Sequence, residues 1–302
     1  MTVNKPPALR HGGRVAITAP SGCVDERALD EGVAALRREG FAVELGRNVL
    51  ARKGYLAGDE KARARELIGF FGRKDIDAIF CARGGFGSMQ LLPELAKESE
   101  LAPKLFVGYS DVTVLLNWFL RRFAMVTFHG PMVAADFARG LSEHSKAHFL
   151  GMLKGEVSGW SVPVGAAIRP GQAAAAMVGG CLSLLAATLG TPYEVETAGR
   201  ILLIEDIDEK PYRIERMLTH LKLAGKLDNL AGLVCGDFIR CEGDGSREVV
   251  DIIKELFADA AFPVVTGFPA GHGDENLALP FGVRMRLDAT RGTLSLLESP
   301  VI

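Results

Sequence analysis

Residues 105–116 read LFVGYSDVTVLL. Three apolar residues are followed by Gly108-Tyr109-Ser110-Asp111, then by a second apolar run with helical spacing. This is the pattern of a buried strand, a sharp turn and a helix start, with one serine on the turn. A hydrolase nucleophile suits that position, because the turn lifts the hydroxyl out of the sheet and the free N–H groups of the next helix face a developing oxyanion. The pattern departs from G-x-S-x-G in having Val112 where the second glycine would stand. The alternative is that Ser110 only N-caps the helix, a common role for serine.

The same grammar repeats outward from this stretch. Val15–Ala19 is a short apolar run ending in Pro20-Ser21-Gly22, after which Asp25 opens a helix carrying Leu29, Val33 and Leu36. Phe41–Leu45 reads as a strand, and Asp59 opens a helix with Leu67, Phe70 and Phe71. Asp77–Ala82 runs into Arg83-Gly84-Gly85-Phe86-Gly87-Ser88, followed by a helix through Leu91, Leu92 and Leu95. Met125–Phe128 runs into His129-Gly130-Pro131. Strands that are continuously apolar and alternate with helices predict a parallel sheet covered on both faces. Ligands bind such sheets at the C-terminal strand edge, so these four polar turns are expected to converge.

The second half reads differently. Residues 155–175, with Gly, Pro and Ser and little helical period, read as a linker between an N-terminal α/β domain at 1–154 and a smaller C-terminal α/β domain at 176–302. Ala176–Leu189 reads as a helix of small residues. Arg200–Ile204 is a strand that ends at Glu205-Asp206, and Pro211–Leu223 is a helix with proline at its start. Leu233–Cys235 reads as a strand, Val249–Phe257 as a helix, and Val264–Phe268 as a strand opening into Pro269-Ala270-Gly271-His272-Gly273. Val283–Leu287 and Thr293–Leu297 form a predicted hairpin.

Composition narrows the partners. The chain has 302 residues, 48% hydrophobic and 24% charged, with net charge −2, so neither a nucleic acid nor a membrane surface is expected as partner. The five cysteines include no C-x-x-C pair, which argues against a disulfide framework or a zinc site. The first residues, MTVNKPPALRHGG, lack the apolar core of a secretory signal, and no apolar run approaches the length of about 18 residues that a spanning helix needs. A cytoplasmic protein is the expectation.

Three groups of residues could carry chemistry. The Arg83–Ser88 loop lacks the Gly-Lys-Ser/Thr of a Walker A loop and the third glycine of a dinucleotide fingerprint. It reads either as an oxyanion donor at Gly84–Gly85, paired with the N–H of Asp111, or as a plain tight turn. Among six histidines, His272 is the first choice for a general base and His129 the second, since both end strands beside glycine. His11, His144, His148 and His220 read as surface residues. Glu205, emerging after the run Ile201–Ile204, is the candidate acid to orient an imidazole, with Asp206, Asp208 and Glu209 next to it; the alternative is a solvated acidic loop, which fits Asp208 and Glu209.

Taken together these segments resemble the serine LD-carboxypeptidase family, which includes the microcin C immunity peptidases. The landmarks are Ala19-Pro20-Ser21, Arg83–Gly87, Gly108–Asp111, His129–Met132, Gly179-Gly180, Leu203–Asp206, Pro211–Arg216 and Gly271–Gly273. The resemblance implies a flavodoxin-like N-terminal domain that supplies the nucleophile and a C-terminal domain that supplies acid and base, with the active site in the cleft between them. It implies Ser110 as nucleophile, His272 as base, Glu205 as its orienting acid, and an oxyanion hole from the N–H groups of Gly85 and Asp111. It further implies a homodimer without metal or cofactor, acting on a small peptide: release of terminal D-Ala from muropeptide tetrapeptides in peptidoglycan recycling. Arg83 is the candidate to hold the substrate's free carboxylate, or else forms a capping or interdomain salt bridge. Similar proteins often have Gly-Gly-Asn-Leu-Ser where this chain has Gly179-Gly180-Cys181-Leu182-Ser183, which bears on substrate preference. Two other readings stay open. One is hydrolysis of aminoacyl-sulfamoyl adenylates, for which Trp118 and Trp160 are the only tryptophans available as an adenine platform. The other is a binding protein without catalysis, since fold alone does not fix function.

Overall fold

The computed structural model describes residues 3–243, 245 and 247–302. The chain forms two compact units. The first comprises the chain up to Glu156 with Ala278–Pro280 and Pro300–Ile302; the second comprises Val157–Leu277 and Phe281–Ser299.

In the first unit the elements run β1 (Arg14–Thr18), α1 (Glu26–Arg38), β2 (Ala42–Leu45), α2 (Glu60–Gly72), β3 (Ala78–Cys81), α3 (Leu92–Leu95), β4 (Leu105–Gly108), α4 (Thr113–Phe123), β5 (Thr127–His129) and α5 (Glu143–Lys154). β1 to β5 lie in the order 2-1-3-4-5 and pair in parallel. That is the flavodoxin-like doubly wound order. Every residue of β3 and β4 is buried. Successive side chains point to opposite faces, so both faces of the sheet are covered. The helices start where the sequence supplies caps: Asp25 accepts from the N–H of Ala28 at 2.9 Å, and Asp59 from the N–H groups of Lys61 and Ala62. Phe119 of α4 packs edge-on against Phe71 and Phe106, with ring centres 5.1 and 5.0 Å away.

The second unit holds β6 (Ser161–Pro163), β7 (Ala167–Arg169), β8 (Gln172–Cys181), α6 (Leu182–Ala187), β9 (Ile201–Ile207), α7 (Pro211–Leu223), β10 (Gly232–Ile239), α8 (Val249–Leu256), β11 (Val264–Val265), β13 (Arg284–Asp288) and β14 (Thr293–Leu296), with β12 (Leu279–Phe281) preceding β13 in the chain. Its sheet has the order 6-14-13-8-9-10-11-7, parallel from β8 to β11 and antiparallel through the β13–β14 hairpin.

Three segments differ from the sequence reading. Residues 155–175 contain β6, β7 and the start of β8, short strands at the sheet's rims that hydropathy alone does not mark. Residues 176–181 are strand, not helix: alanine favours a helix only weakly, and here pairing with both β9 and β13 overrides it. The small residues have a packing reason, since a Cβ on Gly179 would stand 2.0 Å from the carbonyl oxygen of Leu203. The third is β12, three residues that the sequence reading assigns to no element, which adds an edge strand beside β5. Among the described residues, no helix is long and apolar enough to cross a membrane.

Candidate active site

In the first unit, β4 ends at Gly108 and the chain turns through Tyr109 into a tight helical turn, Ser110–Val112, before α4. Ser110 has φ +59°, a left-handed conformation that costs an L-residue roughly 1–2 kcal/mol. Its side chain caps neither helical segment, so a helix-capping role does not account for it. The missing second glycine also has an explanation. Val112 is fully buried, and a Cβ on Gly108 would stand 2.9 Å from its Cγ1. The glycine before the turn makes room for the valine after it.

The Arg83–Ser88 loop lies directly against this turn. A Cβ on Gly84 would be 2.7 Å from both Cβ and Oγ of Ser110 and 3.4 Å from the Asp111 nitrogen. The side chain of Asp111, 1% exposed, ties the two segments together. Its Oδ2 accepts the Ser88 N–H at 2.8 Å, while the Ser88 hydroxyl donates to the Asp111 carbonyl at 2.5 Å. Burial pushes the Asp111 carboxyl above the usual range, and the hydrogen bond from the Ser88 N–H opposes that shift. Pro20–Gly22 joins the same group, with the Gly22 N–H donating to the Gly84 carbonyl at 3.2 Å. The fourth turn expected to converge joins them, the Gly130 N–H donating to the Gly108 carbonyl at 3.2 Å. Arg83 is exposed and donates from Nη1 to the Cys23 carbonyl at 3.2 Å; among the described residues it has no carboxylate partner. His129 is fully buried and packs on Tyr109, ring centres 5.7 Å apart, which leaves it no exposed edge for a substrate.

In the second unit, Glu205 lies within β9 rather than beyond its end, with 0% exposure, and its Oε2 meets Nδ1 of His272 at 2.7 Å. His272 is 11% exposed in its side chain. When the carboxylate accepts from Nδ1–H, the neutral ring carries its lone pair on Nε2, the tautomer a general base needs. Glycines make the space for this pair. A Cβ on Gly271, which has φ +118°, would stand 2.4 Å from Oε2 of Glu205. Both ends of the His272 loop are fastened: the Asp237 N–H donates to the Ala270 carbonyl, the Gly271 N–H to Oδ1 of Asn276, and the Leu277 N–H to the Pro269 carbonyl.

Asp206 and Asp237 are additional acids around this pair. Burial, with the charge of Glu205 adding, pushes each to about 6. Asp206 is buried; it accepts the N–H groups of Ser183 at 2.8 Å and Ile207 at 2.9 Å. Cys181, at the position where similar proteins often have Asn, pairs in register with Glu205. Its Sγ lies 3.2 Å from Ser183 Oγ and 3.6 Å from Asp206 Oδ1, and burial pushes the thiol well above its ordinary value. It therefore stands as a protonated donor to Asp206. Among the described residues, no three His, Cys, Asp or Glu side chains are grouped to hold a metal ion.

Sequence reasoning missed Arg63, Asn276, Asp237 and the carboxylate role of Asp111. Arg63 had a signal: it shares a helical stripe with Leu67, Phe70 and Phe71, all buried, and a cation on a buried stripe needs partners.

Comparison with known proteins identifies the family. Residues 15–130 match the model of the LD-carboxypeptidase N-terminal domain and residues 174–287 that of the C-terminal domain. A Bacillus subtilis protein named "Probable murein peptide carboxypeptidase" is 35% identical, over 96% of this chain and 93% of its own. The murein tetrapeptide carboxypeptidase of Pseudomonas aeruginosa is 31% identical, over 92% and 94%. The crystal structure of muramoyltetrapeptide carboxypeptidase from Oxalobacter formigenes superposes with a TM-score of 0.85 at 32% identity, covering 95% of this chain and all of that one.

Proposed function

The chain belongs to the LD-carboxypeptidase family and is a serine-type hydrolase of it, and from that premise we propose that it releases the terminal D-Ala of muropeptide tetrapeptides through a Ser110–His272–Glu205 triad. The observation that carries this reading is the 2.7 Å hydrogen bond between Glu205 and His272. It fixes the imidazole's basic nitrogen, and a strained serine on a strand-to-helix turn is the matching nucleophile.

The steps follow from the groups present. His272 Nε2 takes the proton of the Ser110 hydroxyl as Oγ attacks the carbonyl carbon of the L,D-amide. The negative charge that develops on the carbonyl oxygen is met by the N–H groups of Gly85 and Asp111, and a donor of this kind contributes roughly 10²–10³ in rate. The imidazolium then protonates the leaving amine of D-Ala. Water, deprotonated by the same nitrogen, hydrolyses the acyl-enzyme. Arg83, with no carboxylate partner among the described residues, holds the terminal carboxylate of the substrate. Glu205 stays ionised and stabilises the imidazolium. With this activity go a place in peptidoglycan recycling, a cytoplasmic location and a homodimeric working form.

The test is mass-spectrometric detection of D-Ala released from a purified tetrapeptide muropeptide. The wild-type protein releases it, and Ser110→Ala, folded by circular dichroism, does not. Undiminished release by Ser110→Ala defeats the triad. Cleavage of an aminoacyl-sulfamoyl adenylate without D-Ala release would redirect the substrate. Trp118 gives that alternative little support, since it is 4% exposed, packs on Phe119 and Phe123, and offers adenine no platform.

A further inference from the structure

We propose that Arg63, a residue of α2 remote in sequence from Ser110, is a positioning residue for the oxyanion loop, acting through a buried guanidinium that fastens Pro20–Gly22 and Gly84–Ser88 beneath the nucleophile turn. The proposal rests on the reading of Ser110 and Gly85 given above and adds to it the part that holds them in place.

Arg63 is 1% exposed, and it is among the largest fully buried side chains in the protein. A buried cation is expensive unless each donor finds an acceptor. Its two terminal nitrogens go to the turns of the candidate site, while Nε finds no acceptor among the described residues. Nη1 donates to the Pro20 carbonyl and, at 3.0 Å, to the Gly87 carbonyl; Nη2 donates to Gln90 Oε1 at 2.7 Å. One planar fork thereby spans both loops. The loop is shaped to receive it: a Cβ on Gly87 would stand 2.7 Å from Nη1, and Gly87 itself has φ +129°. Below the same loop lies the countercharge. Burial lowers the guanidinium's affinity for its proton, and the negative charge of Asp111 restores part of it.

Arg63 and Asp111 grip the loop by opposite groups. Arg63 takes the carbonyl of Gly87; Asp111 takes the N–H of Ser88, the other end of the same peptide unit. A peptide segment held from both its donor and acceptor sides has little freedom to rotate, and rotation about the Gly84–Gly85 segment is what would turn the Gly85 N–H away from an oxyanion. Without the guanidinium, Asp111 is a buried carboxylate lacking its cation, and the Gly87 and Pro20 carbonyls lose a donor.

The experiment compares wild type with Arg63→Met, which keeps length and apolar bulk, and Arg63→Lys, which keeps the charge and some of the donors. Two readouts are taken on folded protein: hydrogen exchange of the 84–88 amides by mass spectrometry, and the kinetics of D-Ala release. Arg63→Met should speed exchange at 84–88 at least tenfold and lower kcat about 100-fold, with KM within threefold. Arg63→Lys should recover about tenfold of that kcat, and added methylguanidine should partly restore Arg63→Met. A residue with only a structural role would lower the melting temperature and leave kcat per folded molecule and the rescue pattern unchanged. That result, or unchanged exchange at 84–88, overturns the proposal. If Arg63→Met does not fold, Gln90→Leu removes one anchor of the guanidinium and should still speed exchange at 84–88; unchanged exchange there also overturns it. If wild type proves not to use Ser110, the exchange readout still decides whether Arg63 holds the loop, so the two failures remain distinguishable.

Discussion

Gly84→Ala adds one methyl group to the protein and should nearly silence it. The backbone at Gly84 lies outside the left-handed region, so alanine meets no conformational penalty there. The space is the difficulty. The new Cβ would stand 2.7 Å from Ser110 Oγ and 2.7 Å from Ser110 Cβ. Rotating the serine moves Oγ away, but Cβ is fixed to the strained turn, so the turn itself has to shift. Reaching an ordinary contact of 3.4 Å requires about 0.7 Å of separation. Misplacing reacting groups by about 1 Å costs on the order of 10²-fold, so a roughly 30- to 100-fold loss in kcat is expected, about 2–3 kcal/mol of barrier. Stability should change less, because overpacking of about 1–3 kcal/mol is partly offset by the lower unfolded-state entropy of alanine. Initial rates of D-Ala release and of Ser110 labelling by a phosphonate, both per folded molecule, measure the effect. Gly69→Ala, where the added Cβ has no atom within 4 Å, is the control and should keep wild-type rates. A folded Gly84→Ala protein working within threefold of wild type would refute the reasoning.

Two other perturbations test separate links. Ser110→Gly relieves the left-handed strain at φ +59°; it should raise unfolding free energy by about 1 kcal/mol while abolishing turnover, and a loss of stability in urea titration would contradict the strain argument. Asp206 has its carboxyl pushed up to about 6 from an ordinary 3.8, so between roughly pH 4 and 6 the native state holds a proton that the unfolded chain has lost. Stability therefore falls as pH rises through that window, by about 3 kcal/mol from this group. Asp206→Asn cannot ionise; the Ser183 and Ile207 N–H groups reach separate carboxylate oxygens, so the amide keeps an acceptor for only one of them, a cost that does not vary with pH. Its urea stability relative to wild type should improve steadily from pH 4 to 7, and parallel pH profiles would rule the effect out.

What the sequence shows and what it hides divide along physical lines. The order of β1 to β5 is legible because buried parallel strands are continuous apolar runs, and because Asp25 and Asp59 announce their helices. Ser110 and His272 are legible because each sits in a short polar turn after such a run, where a strand's end leaves side chains available for chemistry. The segment 176–181 misleads because a run of alanines and glycines carries no period of its own, so its neighbours β9 and β13 decide its conformation. Residues 155–175 mislead for a related reason: β6 and β7 are only three residues each, below the length at which alternation shows.

The deepest omission is Arg63, and it has a general cause. A motif search looks for residues that touch substrate, and those gather in turns with Gly, Ser, His or Asp. The residues that hold the turns can come from anywhere the fold brings them. Arg63 lies 47 positions before Ser110 in a helix that reads as ordinary amphipathic surface, yet its guanidinium meets Pro20, Gly87 and Gln90. The sequence does carry a trace of this. α2 has Arg63 in line with Leu67, Phe70 and Phe71 on its buried face, and Gly87 stands where any side chain would collide with the guanidinium. A cation on an apolar stripe and a glycine in a distant loop are each unremarkable alone; as a pair they are donor and receptacle. The same logic ties Gly84 to Ser110 and Gly271 to Glu205, so these glycines map where the side chains of the candidate site are seated.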